Sequence, residues 1–596
     1  MTTYRAPLRD MRFVLHELAD LAGVAALPGH EDATPALAEA ILEEAAKLAA
    51  DVLAPLNKSG DEQGATLGPD GVMAANGFKS AYNSFVAGGW NSLSGDPGFD
   101  GQGLPTLIAA AATEMWNSAN TSFALCPLLT AGAIETIKCH ASKELKEQYL
   151  AKMVRGEWTG TMNLTESQAG SDLSALLSKA VPHGSHYLIS GQKIFITWGD
   201  HDIAENIVHL VLARLPDAPE GVRGISLFLV PKYLLKADGS PGDRNDLLCT
   251  SLEHKLGIHA SPTCVMTFGQ NQGAVGYLIG EENQGLAHMF TMMNEARQKV
   301  GLQGLGISER AYQQARDYAK ERVQGRKLGQ KGGDRVTIIH HPDVRRMLLT
   351  MKAQIEAMRA FCYTVSVDND YAHRHTDGAV TAARQARVDL LTPIVKGWCT
   401  ELAVEIASLG IQVHGGMGFI EETGACQHLR DARITTIYEG TTGIQAADLV
   451  GRKLAGDRGT AMGRLIGEMR EVEEQLRRSS ESRLMAVAGT FSSGVNALEQ
   501  ATRWMLETYS KDPGTALMRS VDYLMLGGYV CGAWQMTRAA QIASDHLRSE
   551  GEAGFYSAKL VTAQYYLTQI LPRVEGLLTA IRADASAALT MEEEWF

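Results

Sequence analysis

The stretch Tyr187-Leu188-Ile189-Ser190-Gly191-Gln192-Lys193-Ile194-Phe195-Ile196-Thr197 sets β-branched and aromatic residues on both sides of a Gly-Gln pair. That pattern reads as a β-hairpin turning at Gly191-Gln192. Two runs of the same character follow, Ile207-Val208-His209-Leu210-Val211-Leu212 and Gly224-Ile225-Ser226-Leu227-Phe228-Leu229-Val230. A small β-domain therefore occupies the middle of the chain.

On either side the hydrophobic period lengthens to the three-and-four spacing of amphipathic helices. Upstream, Leu37, Ala40, Ile41, Ala45 and Leu48 recur in this way; downstream of Gly285, so do Met289, Met292, Met293, Val300, Leu302 and Leu305. The linker Ala455-Gly456-Asp457-Arg458-Gly459-Thr460 precedes a last helical stretch. This divides the chain into an N-terminal helical domain (1–157), a middle β-domain (158–285), a helical domain (286–454) and an appended C-terminal helical domain (455–596). The fold class is mainly α with a central small β-barrel or sheet domain.

With 596 residues the chain is too long for one core. Hydrophobic residues at 45% and charged residues at 21% are ordinary for a soluble protein. A net charge of -13 opposes general affinity for nucleic acid or an anionic membrane. Eight cysteines without a CxxC pair fit reduced thiols, read here as small core residues. The first 21 residues lack an apolar secretory core. Residues 523–537 are apolar but shorter than the roughly 20 residues that span a bilayer. The expectation is a cytoplasmic protein with no stable membrane span.

Three segments carry candidate chemistry: Met162-Asn163-Leu164-Thr165-Glu166-Ser167-Gln168-Ala169-Gly170-Ser171-Asp172, Gln412-Val413-His414-Gly415-Gly416-Met417-Gly418-Phe419, and Ile437-Tyr438-Glu439-Gly440-Thr441-Thr442-Gly443. In the last, a carboxylate beside a glycine and a threonine is a plausible base held against a flat cofactor. Read alone, Glu439 is more readily a surface or N-cap glutamate, while Phe195 and Thr197 are equally ordinary strand residues and Gly170 and Ser171 equally a plain turn.

Together, in this order and spacing, the three segments resemble the acyl-CoA dehydrogenase family over roughly residues 47–454. The extra helical domain is most similar to the branch containing 3-methylthiopropionyl-CoA dehydrogenase. The resemblance implies a FAD enzyme that removes a proton from the carbon next to a thioester and a hydride from the following carbon, giving a trans-2-enoyl-CoA. It makes Glu439 the base, its backbone N–H part of the oxyanion site, and desolvation a source of its basicity. It places Met162, Leu164, Thr165, Gly170, Ser171, Phe195, Thr197, Arg322, Gln324, Gln412, Gly415, Gly416 and Thr441 at FAD, with Arg322 on the pyrophosphate. Ser171, Asn294, Arg297, Tyr438 and Gly440 fall to the substrate, and Phe123, Leu125, Leu128 and Met293 to an acyl tunnel or to the core.

A rival base exists in some family members, on the first long helix after the β-domain and immediately before an arginine. Here Ala296 precedes Arg297, and Glu295 stands one position early, turned about 100° around a helix. The implied partners are an acyl-CoA substrate, an electron-transfer flavoprotein as acceptor, and a second copy of the chain, giving a homodimer or dimer of dimers. No metal is expected: His340-His341 lacks further ligands at metal spacing. The alternative is a flavin-containing nucleic-acid-binding relative of the same fold, which calls for a basic appended domain; residues 456–596 carry more acidic than basic side chains.

Overall fold

The computed structural model describes residues 4–329, 333–478, 481–548 and 553–596. The helices α1 (Thr106–His140) and α2 (Lys143–Val154) precede eight strands: β1 (Trp158–Asn163), β2 (Lys179–His183), β3 (His186–Thr197), β4 (Asn206–Arg214), β5 (Ile225–Pro231), β6 (Leu247–Leu252), β7 (Thr263–Phe268) and β8 (Ala274–Ile279). Helices return with α3 (Gly285–Glu321), α4 (Pro342–Arg374), α5 (Gly378–His414), α6 (Ala425–Thr435) and α7 (Thr442–Asp448). The last stretch holds α8 (Thr460–Arg478), α9 (Ser482–Tyr509), α10 (Ser520–Arg548), α11 (Ala553–Tyr565) and α12 (Arg573–Arg582). Two compact units form, one from residues 44–105 and 115–299, the other from 1–43, 106–114 and 300–596.

In the first unit the strands run β6-β7-β3-β8-β5-β4-β1, with β2 pairing both β3 and β4. The ring β3-β8-β5-β4-β2 thus closes on itself as a small barrel. Alternation along the strands fills two cores. From β4 and β5, Val211, Ala213, Phe228 and Val230 turn to one core, together with Ile189 and Met266. Their neighbours Val208, Leu210, Leu212, Leu227 and Leu229 turn to the other, where Ala133, Ile137, Met289 and Met292 meet them.

The expected hairpin is one continuous strand. Tyr187 to Ser190 pair with β2, and Gly191 to Thr197 pair with β7. Each half finds another partner, so the two never fold onto each other. Gly191, at φ 140°, bends the strand past Ser178, whose Oγ would lie 2.5 Å from an added Cβ. The glycine is present for close approach rather than for a turn.

In the second unit the appended helices pack against α4 and α5. Gly397 faces Leu524 and Gly528 faces Trp398, both closer than a Cβ permits. The apolar run of residues 523–537 is buried there on α10. The helix α1 is long and apolar enough to cross a membrane, yet 72% of its most apolar window is buried inside the protein, as in a core helix.

Asp370 on α4 accepts the Thr106 and Leu107 amides at the start of α1, at 2.7 and 3.1 Å. Burial pushes its carboxyl up to about 7 against these donors. A raised acid favours the folded state when protonated, so its contribution is full below the unfolded value near 3.8 and fades as pH rises through about 7. In Asp370→Asn, the unfolding free energy from denaturant titrations between pH 4 and 7 should fall less steeply with pH, by up to about 1.4 kcal/mol per pH unit.

Candidate active site

In the β-containing unit, the segment after β1 is fastened to β3. The carbonyl of Thr165 accepts the Ile194 N–H at 2.9 Å, and that of Leu164 accepts Lys193 Nζ at 3.0 Å. Lys193 also donates to Glu166 Oε1 at 2.8 Å, and both side chains are buried. The Glu166 carboxylate accepts further from Ser178 N and Oγ, Leu177 N and Gln168 Nε2. Burial raises this carboxyl, but the Lys193 charge and the hydrogen bonds outweigh it and hold it near 2. Burial lowers Lys193 to about 8 against the pull of Glu166, so the pair is ionised at neutral pH. The turn is closed by reciprocal backbone bonds between Glu166 and Ala169.

This scaffold presents a partly open face. Met162, Leu164, Thr165 and Thr197 are half-buried, while Gly170 and Ser171 are exposed, with nothing within 4 Å of a Cβ built on Gly170. The β3–β7 register shifts opposite Phe195, which takes φ 60° and stands 58% exposed. Strand bulges of this kind re-aim a side chain. An exposed ring held on a strained backbone suits a planar ligand. Arg297 is buried and donates to Asn294 Oδ1 at 3.3 Å. Glu295 is ion-paired with Lys299 at 2.8 Å. Phe123 lies in an aromatic cluster with Phe78, Tyr82 and Phe85, a core position. Leu125 is buried; Leu128 and Met293 belong to the core shared by the sheet and its helices.

In the helical unit, the turn between α6 and α7 carries Glu439. Its backbone is left-handed at φ 54°, followed by Gly440 at 87°. The side chain is half-buried, more open than a fully desolvated base. Tyr438 donates its phenol to Gln303 Oε1 at 2.6 Å, and burial together with the Glu439 charge keeps that phenol protonated. Thr442 donates to Glu401 at 2.5 Å, and Thr441 Oγ1 accepts the Ile444 N–H, capping α7. Gln445 Nε2 donates to the Glu439 carbonyl and Lys396 Nζ to the Gly440 carbonyl.

Elsewhere in this unit, Arg322 is exposed at the end of α3, on a segment laddered to residues 336–338 by Ile338 N–H to Arg322 O and Gln324 N–H to Val336 O. The Gln324 carbonyl meets His341 Nε2 at 2.7 Å. Gln412 closes α5, its carbonyl accepting the Gly415 N–H. Gly415, at φ 60°, and Gly416 have nothing within 4 Å of a built Cβ. Beyond them Met417, Phe419 and Ile420 stand exposed, Phe419 at 83%. Among the described residues no cluster of His, Cys, Asp or Glu could hold a metal.

Family models now bear on these residues. The acyl-CoA dehydrogenase N-terminal, middle and C-terminal domains match residues 36–157, 161–270 and 283–455, and an acetyl-CoA dehydrogenase C-terminal-like model matches 465–592. The 3-methylmercaptopropionyl-CoA dehydrogenase of Ruegeria pomeroyi is 48% identical, covering 99% of each chain. The chain belongs to the acyl-CoA dehydrogenase family. It is an oxidoreductase acting on acyl-CoA, in a family dependent on FAD. A butyryl-CoA dehydrogenase of Syntrophomonas wolfei is 35% identical over 100% of this chain and 99% of its own. The acyl-CoA dehydrogenase of Bacillus anthracis complexed with FAD shares the fold, with a TM-score of 0.74 at 20% identity, over 97% of this chain and 93% of that one.

For an acyl-CoA dehydrogenase, each unit holds residues that suit part of a flavin dinucleotide: in one an exposed aromatic face and the open backbone of Gly170, in the other an exposed guanidinium and the open backbone of Gly415 and Gly416. Glu166, Lys193, Lys396, Gln445 and Gln303 were not among the expected site residues. For the two lysines the signal was a charge inside an apolar run, Lys193 before Ile194-Phe195-Ile196 and Lys396 between Val395 and Gly397; the two glutamines carried no such signal. A buried charge demands a partner.

Proposed function

We propose that the protein is a FAD-dependent dehydrogenase of short acyl-CoA thioesters, 3-methylthiopropionyl-CoA foremost, forming the trans-2-enoyl-CoA with Glu439 as base. The observation that carries this reading is Glu439 itself, a non-glycine residue held in left-handed backbone by a fully anchored turn. Such strain is kept where geometry matters to function.

Met162, Leu164, Thr165, Phe195 and Thr197 would meet the ring system, Gly170 and Ser171 the adjacent phosphates and CoA arm, and Arg322 and Gln324 the pyrophosphate. Gln412, Gly415 and Gly416 would reach the cofactor of a second copy, which also covers Met417, Phe419 and Ile420, while Thr441 adds a further contact. FAD, when bound, accepts the hydride from the β-carbon. Glu439 takes the α-proton and keeps it, while its own N–H donates to the thioester oxygen as negative charge develops there. Tyr438, Gly440, Asn294 and Arg297 orient the thioester arm. Electron-transfer flavoprotein is the acceptor we assign, and the cytoplasm the location.

The acyl group follows from the Ruegeria relative. In 3-methylthiopropionyl-CoA a sulfur replaces one methylene of a five-atom chain, and one methylene in an apolar pocket is worth about 1–3 kcal/mol. In anaerobic titrations this thioester should bleach the flavin fastest, with butyryl-CoA, one chain atom shorter, slower by about 10- to 200-fold. Bleaching by none of them would overturn the proposal; faster bleaching by a long-chain acyl-CoA would overturn the substrate assignment.

A further inference from the structure

We infer that Lys396 and Gln445 are positioning residues for the base: they grip two successive carbonyls and so hold Glu439 in the left-handed turn from which its carboxylate acts. This rests on the reading of Glu439 as the base.

The argument starts from two consecutive positive φ angles, 54° at Glu439 and 87° at Gly440. Glycine adopts such backbone freely, but a residue with a Cβ does so at a cost of roughly 1–2 kcal/mol. Left alone, residue 439 would relax towards negative φ and swing its side chain away. The flanks are tied by Tyr438 to Gln303 and Thr442 to Glu401. Flank ties fix where the turn begins and ends, not the peptides at its apex.

Those peptides are set by side chains from α5 and α7. Gln445 Nε2 donates to the Glu439 carbonyl at 2.9 Å, and Lys396 Nζ to the Gly440 carbonyl at 2.6 Å. Both donors belong to fully buried side chains. An added Cβ at Gly440 would lie 2.6 Å from Gln445 Nε2, so the glycine is what admits that amide. A lysine among Val395, Gly397 and Trp398 is a costly way to fill space. As a donor to one carbonyl at the apex it has a use that Leu or Met cannot supply. With reacting groups this sensitive to placement, about 1 Å of drift is worth roughly a hundredfold in rate.

The test compares Lys396→Met, Gln445→Met, Lys396→Arg and Glu439→Gln holoenzymes with wild type. Single-turnover flavin bleaching is followed with 3-methylthiopropionyl-CoA, protiated or α-dideuterated, together with FAD bound per chain. In Lys396→Met the maximal rate should fall about 10- to 100-fold. FAD content and half-saturating thioester should stay within about twofold, and the α-deuterium isotope effect should rise as proton removal becomes limiting. Lys396→Arg should recover part of the rate.

If Lys396→Met fails to fold, Gln445→Met decides on the same readouts. Wild-type rates and isotope effects in both Met variants, with Glu439→Gln slow, would overturn the positioning role alone. So would a fall in rate that merely tracks lost FAD. A Glu439→Gln variant as fast as wild type would instead remove the base reading on which the inference stands.

Discussion

Glu439→Gln should slow flavin bleaching by acyl-CoA about 10²- to 10⁴-fold, the range supplied by a positioned general base. The substitution isolates that function. Gln has the shape of Glu, and the turn is gripped through the backbone carbonyls of residues 439 and 440, which the change leaves intact. FAD content and the half-saturating acyl-CoA concentration should therefore stay within about twofold, placing the loss in the chemical step. Glu295→Gln is the matched control. Its carboxylate is committed to Lys299, and the position that precedes Arg297 directly is a buried Ala296. Its bleaching rate should match wild type within about twofold. Stopped-flow absorbance under anaerobic conditions reads both. A Glu439→Gln enzyme with wild-type rate, or a Glu295→Gln enzyme with the large loss, would move the base elsewhere.

Periodicity made the order of helices and strands legible because burial repeats along the chain. The β4 and β5 runs were found since their alternate side chains fill two cores. The hairpin at Gly191 was misread for a physical reason: a Gly-Gln pair has the same composition whether it reverses a chain or bends one past Ser178. Only the partners decide: β2 turns into β3 through Gly184-Ser185, just upstream, and β7 comes from far along the sequence. The same limit governed the site. Glu439, Arg322 and the two glycines of residues 415–416 stood out in short motifs. Lys396, forty-three positions before Glu439, did not, because its contact runs from α5 to a turn distant in sequence. Phe195 was legible as a candidate, but its exposure depends on a bulge that strand alternation cannot foretell.

Arg359→Met should destabilise the protein by about 3–5 kcal/mol, the penalty for stripping the cation from a buried ionic group. Arg359 lies wholly inside the helical unit, its Nε bonded to both oxygens of Glu114 at 3.0 and 3.1 Å. Its Nη2 bridges Glu114 at 2.6 Å and Glu309 at 2.7 Å. Tyr363 adds a phenol to Glu114 at 2.7 Å. One guanidinium thus serves two carboxylates. Burial depresses Arg359 but the two acids more than restore it, so it stays charged. Burial raises the Glu114 carboxyl, which Arg359 only partly offsets. Removing the arginine leaves both acids without their cation, whereas Glu114→Gln leaves Arg359 its ion pair with Glu309 and should cost less than about 2 kcal/mol. The double variant should recover part of the Arg359→Met loss, since only Glu309 then lacks a cation. Urea unfolding at fixed FAD and protein concentration measures all three. An Arg359→Met chain within about 1 kcal/mol of wild type would show that water reaches the triad and screens it. The expected loss bears on catalysis as well, because Glu309 and Gln303 share α3, and Gln303 is the acceptor that anchors Tyr438 beside the base.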